Sequence, residues 1–105
     1  MIRKKVLSPD RVRYTGKSFC FIPHRFLTGG FLQSLNPHEL VLYFFLALAS
    51  DRSGLSFYGD RTIYSMLGLS KDEYLMARCN LINKDLIKYD GTLYQVFSLP
   101  QSMRR

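Results

Sequence analysis

The chain has 105 residues and a formal net charge of +7, with 47% hydrophobic and 22% charged residues. This length fits one compact domain with its own core, and the composition is that of a folded protein. The longest apolar run, Leu40–Ala49, has ten residues, about half of what a membrane-spanning helix needs. No secretory signal is expected because Pro9 and Asp10 interrupt the N-terminal segment, and two cysteines are too few for a disulfide scaffold. These features favour a small basic domain in a reducing cytoplasm.

The positive charge is concentrated near the N-terminus. Residues 1–30 contain seven Lys and Arg against one Asp, whereas residues 31–105 contain eight basic and seven acidic side chains. Residues 1–17 have no apolar period, so we predict an arm there, a single domain over 18–99 and a tail over 100–105. A basic arm on a nearly neutral body favours attraction to a phosphate backbone. The alternative is a solubilising tail that contacts nothing.

Two short elements are predicted before the first long helix. The segment Phe19–Ile22 is typical of a strand that ends at Pro23. The segment His24–Leu27 predicts one helical turn, which the glycine pair at 29–30 stops.

The first long helix is predicted over Pro37–Ser50, because Asn36 is a favoured N-cap and Glu39 completes a capping-box pair. Its apolar run covers every face, so no single stripe identifies the buried side. We expect both an intrachain cover from Phe19–Leu35, including Phe26, Phe31 and Leu32, and a second copy of the chain; a wholly intrachain cover is the alternative. The residues predicted for the dimer or partner interface are Val41, Phe44, Phe45 and Leu48.

The C-terminal half predicts a short strand, two helices and a hairpin. The third long helix has a second capping box at Ser70 and Glu73, and Asp90-Gly91 suits a tight turn. The predicted bounds are Leu55–Tyr58 for the strand, Asp60 or Arg61 to Leu67 and Ser70 to about Lys84 for the helices, and Leu86–Tyr89 with Leu93–Leu99 for the hairpin.

A sharp turn is predicted between the last two helices. Gly68 permits the turn, Leu69 fills the gap between the helices and Ser70 caps the second helix, which is the pattern of a helix-turn-helix. This stretch, followed by Tyr74, Leu81 and Leu86-Ile87, resembles the winged helix-turn-helix domains of bacterial regulators of the MarR type. It also resembles the N-terminal domains of plasmid and phage replication initiators. The resemblance covers about residues 37–99.

Two positions depart from the pattern of the family that the chain resembles: Asp85, and Arg78, which stands where that pattern tends to have an apolar residue. In MarR-type regulators the sequence motif L-x-x-x-G-L-I ends the DNA-recognition helix, and the corresponding stretch here is Leu81–Ile87. Asp85 stands at the glycine position, which implies a different C-terminal cap for that helix.

The resemblance implies an α+β fold: a winged helix-turn-helix with a three-helix core, a small antiparallel β-hairpin wing and a basic N-terminal extension. It also implies that the helix after Ser70 enters the major groove while the wing lies beside a phosphate strand. Carboxylates at the start of that helix suit phosphates poorly. The alternative is a purely structural helix in which Leu75, Cys79 and Ile82 pack inside. The base-facing candidates are Lys71, Asp72, Glu73, Leu75 and Met76.

No enzymatic site is predicted. His24 and His38 lie in separate segments, and no H-x-x-E-H, C-x-x-C, Walker or G-x-S-x-G pattern occurs. Cys20 and Cys79 are interpreted as small buried hydrophobic residues. We therefore expect no catalytic activity, cofactor, metal or small-molecule substrate.

The sequence as a whole predicts a non-catalytic, homodimeric protein that binds double-stranded DNA. It would be a small regulator or replication-associated factor of a bacterium, phage or mobile element. The alternative is a winged-helix interaction module that docks a protein partner through its apolar first helix. The residues predicted to contact DNA are Arg3, Lys4, Lys5, Arg11, Arg13, Lys17, Arg61, Ser70, Lys71, Arg78 and Lys88.

Overall fold

Helix α3 (Pro37–Ala49) lies at the centre of the fold. The structure, a computed structural model, describes residues 8, 10 and 22–100. The arm predicted over 1–17, apart from residues 8 and 10, and positions 19–21 of the predicted first strand lie outside the described residues. Ile22, the last residue of that predicted strand, is not in a strand. No helix among the described residues is long and apolar enough to cross a membrane.

Two one-turn helices, α1 (Arg25–Thr28) and α2 (Phe31–Ser34), precede α3 and supply part of its cover. The ring of Phe26 stacks on that of Tyr43 from α3, with centroids 4.9 Å apart. Phe31 is fully buried and Leu32 packs partly buried against the same core. The predicted intrachain cover of α3 by this segment is thus confirmed for its Phe26–Leu32 portion, whereas α2 itself was not predicted.

The predicted capping box fixes the start of α3. Asn36 Oδ1 accepts a hydrogen bond from the Glu39 amide at 2.9 Å, and Glu39 Oε1 accepts one from the Asn36 amide at 3.2 Å. Proline at the first helical position costs nothing because its missing N–H would have no partner inside the helix.

The second half folds into β1 (Leu55–Ser56), α4 (Asp60–Leu67), α5 (Lys71–Asn83), β2 (Ile87–Tyr89) and β3 (Tyr94–Val96). All of these elements were predicted, but each strand is shorter than expected, and Phe57 and Tyr58 are exposed outside β1. The antiparallel sheet has the order β1–β3–β2, so the hairpin joins β1 through its second strand. The described chain is therefore α+β.

The outer edge of β1 is closed by Asp51, a residue of the loop after α3. Leu55 N donates to Asp51 Oδ1 at 3.0 Å, and Leu55 O accepts from the Asp51 amide at 2.9 Å. Both backbone groups that Leu55 directs away from β3 are therefore satisfied within the chain.

Helix α5 packs with a different face from the one its apolar residues indicated. Tyr74, Ala77 and Leu81 are buried, whereas Cys79 is exposed and Ile82 is 40% exposed. The expectation that Cys79 and Ile82 pack inside is therefore wrong. Polar side chains that hydrogen-bond to one another occupy part of the inward face of α5. The pattern of apolar residues alone therefore predicted the wrong face as buried.

The predicted change of cap after α5 is also wrong. Asp85 adopts the left-handed conformation (φ 64°) that glycine favours. The Asp85 amide donates to Ile82 O at 3.0 Å and the Leu86 amide to Leu81 O at 3.1 Å, which is the Schellman pattern. An aspartate tolerates this backbone better than most non-glycine residues, so the Schellman cap forms with Asp85 in the left-handed position.

Candidate nucleic-acid interface

The turn between α4 and α5 sets the direction in which α5 leaves the core. Gly68 follows α4 with φ +70°, and the Leu69 amide donates back to Tyr64 O at 3.0 Å. A residue with a Cβ would be strained in this left-handed conformation, so glycine suits this position. Leu69 is half-buried against the core, as predicted for the residue that fills the gap.

Ser70 caps α5 through the predicted box. Its Oγ accepts from the Glu73 amide at 3.1 Å, and Glu73 Oε1 accepts from the Ser70 amide at 2.8 Å. The backbone hydrogen bond from Ser70 is the main cause of a pKa of Glu73 below its ordinary value, with a further contribution from nearby His38. Glu73 Oε2 lies 3.6 Å from His38 Nε2, so the starts of α3 and α5 are adjacent.

Three of the predicted basic residues are exposed on α4, α5 and β2. Arg61 lies in the first turn of α4, Lys71 is the first residue of α5, and Lys88 is the central residue of β2. The first six predicted basic residues, Arg3, Lys4, Lys5, Arg11, Arg13 and Lys17, lie outside the described residues.

Arg78 differs from these three because protein groups surround it. Its side chain is 19% exposed, and Nη1 donates to Asp60 Oδ1 and to the Tyr94 hydroxyl, each at 3.2 Å. Its guanidinium carbon lies 4.3 Å from the centroid of the Tyr89 ring. The structure thus places Arg78 among residues of α4, α5 and the hairpin rather than on the open surface of α5.

Tyr74 and Tyr94 complete this polar cluster. The Tyr74 hydroxyl donates to Asp60 Oδ1 at 2.7 Å and is hydrogen-bonded to the Tyr94 hydroxyl. Burial raises the pKa of both phenols, so both stay neutral at physiological pH. Sequence reasoning missed the cluster, although the i, i+4 spacing of Tyr74 and Arg78 places them on one helix face.

The outward face of α5 is acidic and apolar rather than basic. Asp72, Met76, Cys79 and Asn83 are exposed along it, and Met76 is 68% exposed. Of the base-facing candidates, Lys71, Asp72, Glu73 and Met76 are exposed, while Leu75 packs partly against the core. Within the described helix, Lys71 is therefore the only exposed basic residue of α5.

The described residues 22–100 carry no net charge. Seven Lys and Arg side chains there are balanced by seven Asp and Glu, so the formal charge of +7 comes from positions outside this range, eight basic and one acidic. The electrostatic attraction to any polyanion must therefore come mainly from the chain termini.

The predicted interface on α3 divides into exposed and buried members. Phe44 is 53%, Leu48 58% and Val41 38% exposed, and they follow one another at helical spacing on one side. Phe45 was predicted with them but is only 8% exposed, because its ring packs edge-on against Tyr58 at 5.4 Å. Placing Phe45 on this surface was therefore wrong; the exposed α3 face consists of Val41, Phe44 and Leu48.

Comparison of the chain with protein families, curated proteins and solved structures gave no match. Among the described residues, no three His, Cys, Asp or Glu side chains come together as a metal site would require.

Proposed function

We propose that this protein binds double-stranded DNA as a winged helix-turn-helix, with α5 as the recognition helix and the β2–β3 hairpin as the wing. The supporting observation is the α4–turn–α5–hairpin arrangement, in which α5 begins at a capping box and Arg61, Lys71 and Lys88 are exposed on α4, α5 and β2. Helices in this arrangement enter the major groove while flanking basic residues contact phosphates. The protein would serve as a small regulator or replication-associated factor without catalytic activity.

In this proposal most of the affinity for DNA comes from residues outside 22–100, the range that carries no net charge. The basic residues of the first 17 positions neutralise phosphates or enter a minor groove, and the helices and hairpin set the position on the duplex. Since each neutralised phosphate releases counterions, binding should weaken steeply as salt rises.

A second copy of the chain is the proposed occupant of the exposed α3 face. No charged residue occurs from Leu40 to Ser50, so two copies of this face can meet about a twofold axis without bringing like charges together. A dimer of this kind would fix the spacing of two DNA half-sites.

Docking of a protein partner is the second candidate function. It is favoured by the outward face of α5, where Asp72 and the exposed side chain of Met76 are unsuited to phosphates. An apolar interface with an acidic rim would bind with little dependence on salt.

The first experiment measures binding of the full chain to mixed-sequence duplex DNA by fluorescence anisotropy over a series of salt concentrations. We expect salt-sensitive binding, and a slope of log affinity against log salt that is shallower by about two for a Lys4→Ala, Lys5→Ala double variant. Arg52→Ala, which removes an exposed charge in the loop before β1, is the control and should leave the slope unchanged. Absence of binding at low salt by the folded protein would reject the proposal.

Asp72→Asn separates the two candidate functions. Removing this carboxylate from the outward face of α5 should strengthen DNA binding by about two- to fivefold at low salt, since one repulsive charge is lost. Unchanged DNA binding would place the outward face of α5 away from the duplex and favour the docking function for that face.

A further inference from the structure

One carboxylate oxygen joins α4, α5 and the hairpin. Asp60 Oδ1, at the start of α4, accepts hydrogen bonds from Tyr74 at 2.7 Å and from Arg78 at 3.2 Å, and the Tyr89 hydroxyl lies 3.4 Å from it. Tyr74 and Arg78 belong to α5, and Tyr89 ends β2. The relative placement of the three elements therefore depends on a shared set of polar contacts.

Arg78 also packs in a stack with the hairpin tyrosines. The Tyr89 ring contacts both Arg78, whose guanidinium carbon lies 4.3 Å from its centroid, and Tyr94, whose ring centroid is 4.3 Å away. A guanidinium over an aromatic face is attracted by the ring quadrupole, and partial burial strengthens that attraction. Arg78 thus binds both strands of the hairpin through one side chain.

Tyr89 also contacts the turn at the tip of the hairpin. Its hydroxyl donates to Gly91 O at 2.9 Å, inside the turn between β2 and β3. Successive strand residues point to opposite sides of a sheet, so holding Tyr89 inward directs its neighbour Lys88 outward, where it is exposed.

We propose that Arg78 is a positioning residue for DNA recognition, which holds the hairpin and Lys88 at a fixed angle to α5 through Tyr89, Tyr94 and Asp60. This inference rests on the proposed function. It assigns Arg78 a positioning role in place of the direct DNA contact predicted from the sequence. Nη1 of Arg78 donates to protein acceptors and the side chain is 19% exposed, so the loss of Arg78 acts on DNA through the placement of the wing.

The test compares Arg78→Lys with Tyr89→Phe in the full chain. Arg78→Lys keeps the charge but loses the planar guanidinium that lies over the Tyr89 ring, and Tyr89→Phe removes one hydroxyl without any change of charge. Far-UV circular dichroism checks that each variant is folded. Hydrogen exchange of the hairpin amides, relative to those of α5, is measured without DNA, and duplex binding is then measured by anisotropy at several salt concentrations.

We expect both variants to exchange hairpin amides faster than the wild type. DNA binding should weaken about tenfold in Arg78→Lys, which disturbs the contact with the Asp60 carboxylate, and about fivefold in Tyr89→Phe, which loses a hydrogen bond to the neutral Gly91 carbonyl. The double variant should lose little more than either single variant, because both act through the same contacts. Lys71→Ala is the control for a direct contact: it should reduce the salt slope by about one and leave hairpin exchange unchanged.

Two results would overturn the inference. Unchanged hairpin exchange in both variants would show that the cluster does not hold the wing, whether or not DNA binds. Wild-type affinity in Arg78→Lys, together with a salt slope lower by about one in Arg78→Ala, would indicate a direct phosphate contact. Absence of DNA binding by the wild type rejects the proposed function instead, and the exchange measurement still decides whether Arg78 holds the hairpin.

Discussion

Lys84 Nζ lies 2.6 Å from Glu39 Oε1, which joins the end of α5 to the start of α3. The Glu39 side chain is 3% exposed, and its second oxygen accepts from Asn80 Nδ2 at 2.8 Å and Asn36 Nδ2 at 3.0 Å. A buried carboxylate is tolerated only where donors and an opposite charge replace water, and this site supplies both. Lys84 also donates to Ser34 O at 2.8 Å, so α2 is attached to the same pair.

Removing the positive charge of Lys84 should therefore lower the stability of the fold. Lys84→Met leaves the buried Glu39 carboxylate without its opposite charge, and we expect the free energy of unfolding to fall by about 2–3 kcal/mol. Urea denaturation measures this change. Lys88→Met removes an exposed lysine and should change stability by less than about 0.5 kcal/mol. Equal effects of the two substitutions would show that the ion pair contributes nothing.

Acid should weaken the same contact. Burial alone would raise the pKa of Glu39, but hydrogen bonds from Lys84, Asn80 and the Asn36 amide outweigh it, so the pKa is lowered. Because the folded pKa lies below the unfolded value of about 4.3, the stabilisation is present above that pH and is lost as the pH falls through the folded pKa. Glu39→Gln should lose less stability than the wild type between pH 6.5 and pH 3.5. The exposed Glu73 and Asp90, whose pKa values are also lowered, remain in both proteins and cancel in the comparison.

The cap after α5 offers a stabilising substitution. Asp85 has φ 64°, a conformation that glycine adopts without steric cost, so Asp85→Gly should raise the free energy of unfolding by about 0.5–1 kcal/mol. The melting temperature measures the gain. Asp85→Ala is the matched control and should be less stable than the wild type, since alanine has no polar group to offset the strain. A destabilised glycine variant would mean that the Asp85 side chain, rather than its backbone, determines the cap.

The exposed α3 face should control the oligomeric state. Phe44→Glu places a charge at the centre of this face, where two copies would meet, and we expect a monomer that remains folded because Phe44 is 53% exposed. Light scattering after size exclusion measures the mass. Leu27→Glu changes another exposed apolar residue, 63% exposed on α1, and should leave the dimer intact. A monomeric wild type at micromolar concentration would contradict the proposed dimer.

Local signals predicted most of the fold. The capping boxes at Asn36 and Ser70 and the turn at Gly68 each depend on residues within one helical turn, so they are visible in the sequence. The β2–β3 turn is similar, because Asp90 Oδ1 accepts from the Thr92 and Leu93 amides as its sequence implied for a tight turn.

The rotation of the helices about their axes could not be predicted in the same way. Helix α3 is apolar on all sides, so nothing in its pattern separates buried Phe45 from exposed Phe44. Helix α5 places Tyr74 and Arg78 inward, where their polar groups find Asp60 and Tyr94, partners distant in sequence. Such pairings depend on the tertiary fold and leave no periodic signal.

The closure of the β1 edge by Asp51 limits how this protein can self-associate. An open edge strand is a template on which another chain can continue the sheet, and it leads to runaway aggregation when it is long and flat. Here the edge has two residues, and both outward backbone groups of Leu55 are already bonded to Asp51. Strand addition is therefore blocked at Leu55, and a second chain that extended this sheet would have to pair with β2, its other edge strand.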